Sequence, residues 1–250
     1  MNGKHTNGPD ASMPARHAAP IAVALDAPDL DTLRRWSTDV ASTVACLKVG
    51  LEAFCRDGHR SVEVAREGAA AGGAADIGIF LDLKLHDIPA TVAGACRSVA
   101  PLEPRYLTVH AAGGPAMVEA AALALPRTRI TAVTVLTSLD AAIVADLGIE
   151  GTPADIVMRW AQLAVDAGAR AIVCSPIEVA VLRAGLPSDV HLITPGVRPA
   201  GSDANDQKRS ATPRQAIEAG ADLLVIGRPI TGQADPGAAA RQIAAECRRP

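Results

Sequence analysis

Short apolar runs along the chain alternate with longer segments whose apolar residues recur at helical spacing. The alternation begins near Pro20 and continues to the C-terminus without a linker-like interruption. Apolar runs typical of buried strands lie at 21–25, 46–49, 80–85, 106–109, 130–136, 171–174, 190–193 and 223–226. Helices are predicted over 30–40, 61–71, 90–99, 117–125, 141–147, 153–167, 179–184 and 236–248, and a further one starting at Thr212 and Pro213.

Eight strand–helix units at roughly thirty-residue spacing predict an α/β fold, a single (β/α)8 TIM barrel. In such a barrel the polar residues that follow the strands gather on one rim. An open, doubly wound sheet is the alternative, because the number of strands does not show closure. The Gly-x-Gly-x-x-Gly fingerprint that this alternative favours is missing after the first strand. We expect a flexible N-terminal tail over 1–19 and one barrel domain over 20–250.

The composition narrows the class of protein. Hydrophobic residues make up 49% of the chain and aromatic residues 2%, so the core must consist of aliphatic side chains, as in parallel sheets buried on both faces. Few aromatics and a net charge of -3 argue against nucleic acid as a partner. No uncharged apolar stretch approaches the length of a membrane span, so no membrane partner is expected.

The cysteines and the N-terminal segment bear on the cellular compartment. Five cysteines, an odd number with no Cys-x-x-Cys pair, argue against a disulfide framework or a zinc knuckle. Residues 1–19 are polar and lack the apolar core of a signal peptide. We therefore expect reduced thiols and a cytoplasmic protein.

The stretch 80–89 carries the densest set of candidate catalytic side chains. Leucines alternate with Asp82 and Lys84, and a period of two predicts a strand from which both charges project on one face. Pro89 ends the extended run and is accepted in the first turn of a helix, so Asp87 falls in the turn after the strand. Two acids and one base would then share a small volume. By itself, an Asp-x-Lys pair on a strand is more often a solvated salt bridge.

Polar residues after the other predicted strands add to this rim. Together they are Asp26, Lys48, Asp82, Lys84, Asp87, Thr137, Ser138, Arg198, Gln207 and Arg228. Gly227 and Arg228 follow the eighth strand, where barrels of this kind usually bind phosphate. Accessible backbone N–H groups and a guanidinium suit a phosphate dianion. The polar connection 199–210 is the candidate for a lid over the site.

Several motifs, taken in order, resemble those of a known enzyme family. They are Leu25-Asp26, Leu47-Lys48-Val-Gly50, Asp82-Leu-Lys84-Leu-His-Asp87-Ile88-Pro89, Thr194-Pro195-Gly196-Val-Arg198, Asp206-Gln207-Lys-Arg209 and Ile226-Gly227-Arg228-Pro229-Ile230. In this order and spacing the chain resembles orotidine 5′-phosphate decarboxylases of the shorter bacterial type, from about Ile21 to its C-terminus. The Asp-x-Lys-x-x-Asp-Ile-Pro core is the most specific of the motifs.

The resemblance implies removal of CO₂ from orotidine 5′-monophosphate to give UMP in pyrimidine biosynthesis, with no metal or organic cofactor. It also implies a homodimer whose two sites lie at the subunit interface. Lys84 would give its proton to pyrimidine C6, and Asp82 would lie against the departing carboxylate. Asp87 of the neighbouring subunit would complete a charge array with Lys48, Asp82 and Lys84.

The resemblance also implies the remaining substrate contacts. Asp26 and Lys48 would contact the ribose hydroxyls, and Asp87, Ile88 and Thr91 would approach the substrate of the partner subunit. The pyrimidine edge would meet Thr137 and Ser138, and its plane would meet Pro195. The phosphate would be bound by Arg198, Gln207, Gly227 and Arg228.

Two alternatives would use the same barrel. A magnesium-dependent sugar-phosphate decarboxylase or aldolase has a similar motif but usually carries a metal-binding acid on the second strand, where this chain has Lys48. His86 and His110 are not accompanied by the converging carboxylates that a metal site needs, so no metal is expected. A non-catalytic nucleotide-phosphate sensor would need the phosphate groups but not the charge array.

Overall fold

The strands of the protein close into a parallel barrel in a computed structural model that describes residues 18–198 and 211–248. Each strand pairs with the next along the chain, and the eighth pairs with the first. The strands are β1 Ala19–Ala24, β2 Val44–Gly50, β3 Gly78–Leu85, β4 Tyr106–His110, β5 Arg129–Val133, β6 Ala171–Val173, β7 His191–Pro195 and β8 Leu223–Ile226. Closure confirms the predicted (β/α)8 barrel and rules out the open sheet.

Helices follow the strands and cover the outside of the barrel. They are α1 Leu30–Val40, α2 Leu51–Asp57, α3 His59–Ala71, α4 Pro89–Val99, α5 Pro115–Ala124, α6 Ala141–Asp146, α7 Pro153–Asp166, α8 Val179–Gly185, α9 Pro213–Glu218, α10 Arg228–Thr231 and α11 Pro236–Glu246. Thr212 caps α9 as predicted, accepting a hydrogen bond from the Gln215 N–H while the Gln215 side chain accepts one from the Thr212 N–H. No helix among the described residues is both long and apolar enough to cross a bilayer.

Three elements differ from the sequence prediction. The helices α2 and α10 were not predicted, and the four residues of α10 give too short a window for helical periodicity to be recognised. Strand β5 ends at Val133, whereas the apolar run predicted a strand to Leu136. Val135 and Leu136 line a cavity instead of continuing the sheet, which explains why an apolar run extends beyond the strand.

The core lies in two layers separated by the sheet, because alternate residues of each strand point to opposite faces. The barrel interior contains Ala22, Cys46, Phe80, Tyr106, Ala171, Ile193 and Leu223. The layer between strands and helices is aliphatic and includes Leu81, Leu107 and Ile172. Residues before Ala18 and within 199–210, including most of the expected tail and the expected lid, lie outside the described part of the chain.

The aliphatic layer should carry much of the stability. Leu81 is fully buried in it, so Leu81→Ala should lower the free energy of unfolding by about 2–5 kcal/mol, measured by chemical denaturation. The matched control is Leu123→Ala on the exposed face of α5, which should change it by no more than about 0.5 kcal/mol. Equal small effects at the two positions would contradict this description of the core.

Candidate active site

The carboxyl end of β3 positions the two central charges. Leu81 pairs with Leu107 and Leu85 pairs with Val109, so the three residues 82–84 lie opposite a single residue of β4, Thr108. Such a bulge bends a strand and redirects its side chains. Within it Lys84 has a φ of 49°, a left-handed conformation that is uncommon for any residue with a side chain.

Asp82 and Lys84 meet on one face of β3, as the alternation predicts, although the bulge interrupts that alternation. The Lys84 Nζ lies 2.8 Å from Oδ1 of Asp82. Lys48 of β2 lies on the other side of the same carboxylate, with its Nζ 3.1 Å from Oδ2. Asp26, just beyond β1, is 3.7 Å from the Lys48 ammonium. Four side chains from three adjacent strands therefore form a chain of alternating charges.

The inner pair of this chain is well shielded from water. The Lys48 and Asp82 side chains are 10% and 11% exposed, whereas Lys84 is partly exposed and Asp26 largely so. Burial of Asp82 raises its pKa, but the charges of Lys48 and Lys84, together with their hydrogen bonds, outweigh burial and leave the pKa lower than that of an ordinary aspartate. Asp82 is therefore ionised at neutral pH.

A cavity of about 190 Å³ opens beside these charges. Five residues expected at the site line it: Lys48, Asp82, Lys84, Thr137 and Pro195. The rest of the lining is mainly apolar: Phe80, Val133, Val135, Leu136, Val173, Cys174, Ser175 and Val225. The lining thus combines a few charged groups with a mainly apolar surface, a combination suited to a flat, partly polar ring that carries one reacting group.

Other expected residues lie outside the cavity lining. Asp87, Ile88 and Thr91 are exposed at the start of α4. The Asp87 carboxylate accepts a hydrogen bond of 2.6 Å from the Ile88 N–H. Ile88 is 66% exposed, a large apolar side chain in water. Within one chain, the array formed by Lys48, Asp82 and Lys84 is therefore present without Asp87.

The residues expected to bind phosphate and the pyrimidine edge lie at other strand ends. Arg198 follows β7 and is half-buried. Its backbone N–H donates a hydrogen bond of 3.0 Å to the Ala211 carbonyl. Gly227 precedes α10, and Arg228 is the exposed first residue of that helix. Ser138 is exposed and does not line the cavity, whereas its neighbour Thr137 does. Gln207 lies outside the described residues.

Sequence reasoning missed three residues of the site. A Cβ added at Gly50 would come within 3.0 Å of both the Asp26 Oδ1 and the Lys48 Nζ, so glycine leaves room for this ion pair. Thr108 contacts both Asp82 and Lys84. Ser175 lines the cavity, and its buried hydroxyl has no hydrogen-bond partner in the part of the chain that the structure describes. Of these, only Gly50 gave a signal, because it ends a strand two residues after the charged Lys48.

The two histidines near β3 contact each other. The rings of His86 and His110 lie 5.4 Å apart between centroids. Burial lowers the pKa of His110, and the nearby His86 and Lys84 lower it further. Within 18–198 and 211–248, no group of three or more His, Cys, Asp or Glu side chains is placed to hold a metal ion.

Comparison with known proteins gives the chain its family. Residues 19–243 match the model of the family described as Orotidine 5′-phosphate decarboxylase / HUMPS family. An orotidine 5′-phosphate decarboxylase of Thermobifida fusca (strain YX) is 62% identical over 232 residues, covering 93% of this chain and 97% of the relative. A decarboxylase of the same name from Frankia casuarinae is 58% identical over 243 residues, covering 93% and 89%.

A solved structure shows the same fold. The crystal structure of orotidine 5′-phosphate decarboxylase from Lactobacillus acidophilus superposes with a TM-score of 0.78 at 32% identity, covering 92% of this chain and all of that one. The sequence matches span nearly the whole barrel and include every rim motif from Asp26 to Arg228. The chain therefore belongs to the orotidine 5′-phosphate decarboxylase / HUMPS family.

Proposed function

We propose that the protein decarboxylates orotidine 5′-monophosphate to UMP, the reaction for which its relatives are named. The observation that carries the proposal is the Lys84 ammonium, fixed against Asp82 at the edge of a largely apolar cavity. The direct test is loss of the orotate chromophore in buffer that contains EDTA. Absence of turnover, or turnover that needs added metal, would overturn the proposal.

The reaction needs a fixed positive charge. Breaking the bond between C6 and the carboxyl group leaves its electron pair on a ring carbon that has no adjacent carbonyl to delocalise it. A preorganised cation at that carbon stabilises the developing charge best where water is excluded. Lys84 supplies this cation, and its Nζ proton then moves to C6 as CO₂ departs. The amine left behind regains a proton from solvent.

Asp82 has two roles in this scheme. Its carboxylate holds the ammonium groups of Lys48 and Lys84 through different oxygens, which fixes the positions of both. It also lies where the substrate carboxylate would come, and that repulsion ends when CO₂ leaves. We assign the larger contribution to the attraction at Lys84. The apolar part of the cavity lining suits the uncharged ring and the neutral CO₂.

The remaining expected residues would hold the parts of the nucleotide that do not react. Asp26 and Lys48 are assigned to the ribose hydroxyls, and Thr137, Ser138 and Pro195 to the base. Arg198, Gln207, Gly227 and Arg228 are assigned to the phosphate. Binding energy from a phosphate far from C6 can orient the base and close a loop, for which 199–210 is the candidate.

A homodimer would complete the site. Asp87, Ile88 and Thr91 are exposed at the start of α4, and an apolar side chain exposed beside a charged site favours coverage by a partner. In the proposed dimer, Asp87 from one subunit reaches the Lys84 of the other. We also infer a cytoplasmic location from cysteines that have no disulfide framework, and assign catalysis to the barrel over 20–250.

The alternative functions fit the site less well. A divalent cation bound at Asp82 would meet the Lys48 ammonium, which already lies 3.1 Å from that carboxylate. The positive charge of Lys48 would repel the metal ion. A non-catalytic sensor would have no use for a lysine held against Asp82 in a left-handed backbone conformation, because strain of this kind persists mainly where function requires it.

The role of Lys84 makes one clear prediction. Lys84→Ala should lower kcat by at least on the order of 10³-fold, because the cation at C6 is lost, while UMP binding by titration calorimetry remains measurable. Arg60→Ala, which removes an exposed cation paired with Glu63 and Glu67, is the control and should retain wild-type turnover. Near-normal turnover in the Lys84 variant would remove that residue from its role.

The balance of charge at Asp82 can be measured. Lys48→Met should raise the Asp82 pKa, since burial would then be opposed by Lys84 alone. The readout is ¹³C NMR titration of the carboxyl groups, with Asp82→Asn to assign the signal. Arg34→Met, which removes an exposed charge on α1, should leave the Asp82 pKa unchanged. An unchanged or lower Asp82 pKa in the Lys48 variant would show that the Lys48 charge does not oppose the effect of burial on Asp82.

The phosphate assignment predicts a loss of substrate capture. Arg228→Ala should lower kcat/KM for orotidine 5′-monophosphate by about 10–100-fold, the loss expected for hydrogen bonds to a charged group. The same variant should act on the nucleoside orotidine, which has no phosphate, as the wild type does. Wild-type kcat/KM on the phosphorylated substrate would show that Arg228 does not bind phosphate.

A further inference from the structure

Thr108 on β4 is fully buried, 0% exposed, directly opposite the bulge that carries Asp82 and Lys84. We infer that Thr108 is a positioning residue for the reaction: its hydroxyl holds the Lys84 backbone and the Asp82 carboxylate in their working arrangement. The inference rests on the proposed role of Lys84. Thr108 is not among the residues that line the cavity, so it would act through its neighbours and not on the substrate.

The hydroxyl of Thr108 acts as both a hydrogen-bond acceptor and a hydrogen-bond donor. Its Oγ1 accepts a hydrogen bond of 2.8 Å from the Lys84 backbone N–H. The same oxygen donates a hydrogen bond of 3.0 Å to Oδ1 of Asp82. Oδ1 is also the oxygen that the Lys84 Nζ contacts at 2.8 Å. Three residues therefore form a closed ring of contacts that fixes both ends of Lys84.

The bulge explains why a side chain is needed here. In a regular parallel ladder the N–H of a strand residue donates to a backbone carbonyl of the neighbouring strand. Because residues 82–84 face Thr108 alone, the ladder is interrupted and the Lys84 N–H bonds to the threonine hydroxyl instead. A buried N–H without an acceptor is costly, so removing the hydroxyl should release the Lys84 backbone from its present conformation.

The left-handed φ of Lys84 makes the position of its ammonium depend on this contact. A residue stays in such a conformation only where its surroundings over-determine it. If the backbone relaxed toward a regular strand, the base of the side chain would shift, and the Nζ would leave its place against Asp82. Displacements of about 1 Å at a reacting group can cost on the order of 10²-fold in rate.

Buried threonines elsewhere in the barrel show that this pattern is not general. Thr131 on β5 is also fully buried, but its hydroxyl donates to the Arg129 carbonyl of its own strand over 2.9 Å. The Thr194 hydroxyl on β7 lies 3.9 Å from the Cys174 thiol. Neither contacts a charged side chain in these bonds. Thr131 therefore serves as a matched control for the loss of a buried hydroxyl.

The test compares Thr108→Val, which keeps the shape but has no hydroxyl, with Thr108→Ser, which keeps the hydroxyl. Thr108→Val should lower kcat on the order of 10²-fold, while the dissociation constant for UMP remains close to wild type. Thr108→Ser and Thr131→Val should both retain kcat close to wild type. If Thr108→Val does not fold, as judged by circular dichroism and UMP binding, Thr108→Ala against Thr108→Ser makes the same comparison.

The outcomes separate this inference from the proposed function. Wild-type kcat in Thr108→Val, or an equal loss of kcat in Thr108→Ser, would overturn the role of Thr108. A fall in kcat matched by the same loss of UMP affinity, or by the same fall in Thr131→Val, would indicate a structural role only and would also overturn it. If Lys84→Ala itself keeps turnover, the proposed role of Lys84 fails, whatever the Thr108 variants show.

Discussion

The site depends on one carboxylate shared between two ammonium groups. Asp82 contacts Lys84 through one oxygen and Lys48 through the other, and all three side chains lie at the rim of one barrel. A buried carboxylate alone would tend to take up a proton, and a buried lysine alone would tend to lose one. Held together, the opposite charges offset part of the cost of burial. A shared buried charge of this kind is weak evidence for stability, so its value to the protein lies in the chemistry.

The buried layers of the barrel provide stability, and the strand ends provide the functional groups. Buried, mainly apolar side chains on both sides of the sheet hold the strands in register, and the strand ends carry the polar groups of the site. The rim can therefore tolerate local departures from regular structure, such as the bulge at 82–84 and the left-handed Lys84. The strained segment of β3 is stabilised by a side chain of β4, Thr108. This is possible because the strands on both sides are held rigidly.

Much of the fold was predictable because it follows from periodicity. Apolar runs located all eight strands, and alternation placed Asp82 and Lys84 on one face. The bulge could not be predicted, since it arises from pairing with β4 and not from the residues of β3 alone. Thr108 was missed for the same reason: within an apolar strand, a threonine gives no sign that its hydroxyl bonds a charged neighbour.

Other parts of the site were beyond the reach of local patterns. Gly50 is needed for space that only the three-dimensional arrangement of Asp26 and Lys48 defines. Asp87 is exposed and lies outside the cavity lining in a single chain, so its assignment came from the resemblance and depends on a second copy of the protein. Short helices such as α10 lack enough residues to show a period.

The central claim is that the Lys84 ammonium stabilises an electron pair at pyrimidine C6. Exchange of the C6 hydrogen of UMP with D₂O, followed by ¹H NMR, isolates that step from the loss of CO₂. The account predicts enzyme-dependent exchange with the wild-type protein and none above background when Lys84 is replaced by alanine. Decarboxylation by the wild type without any such exchange, or exchange that persists in the alanine variant, would contradict it.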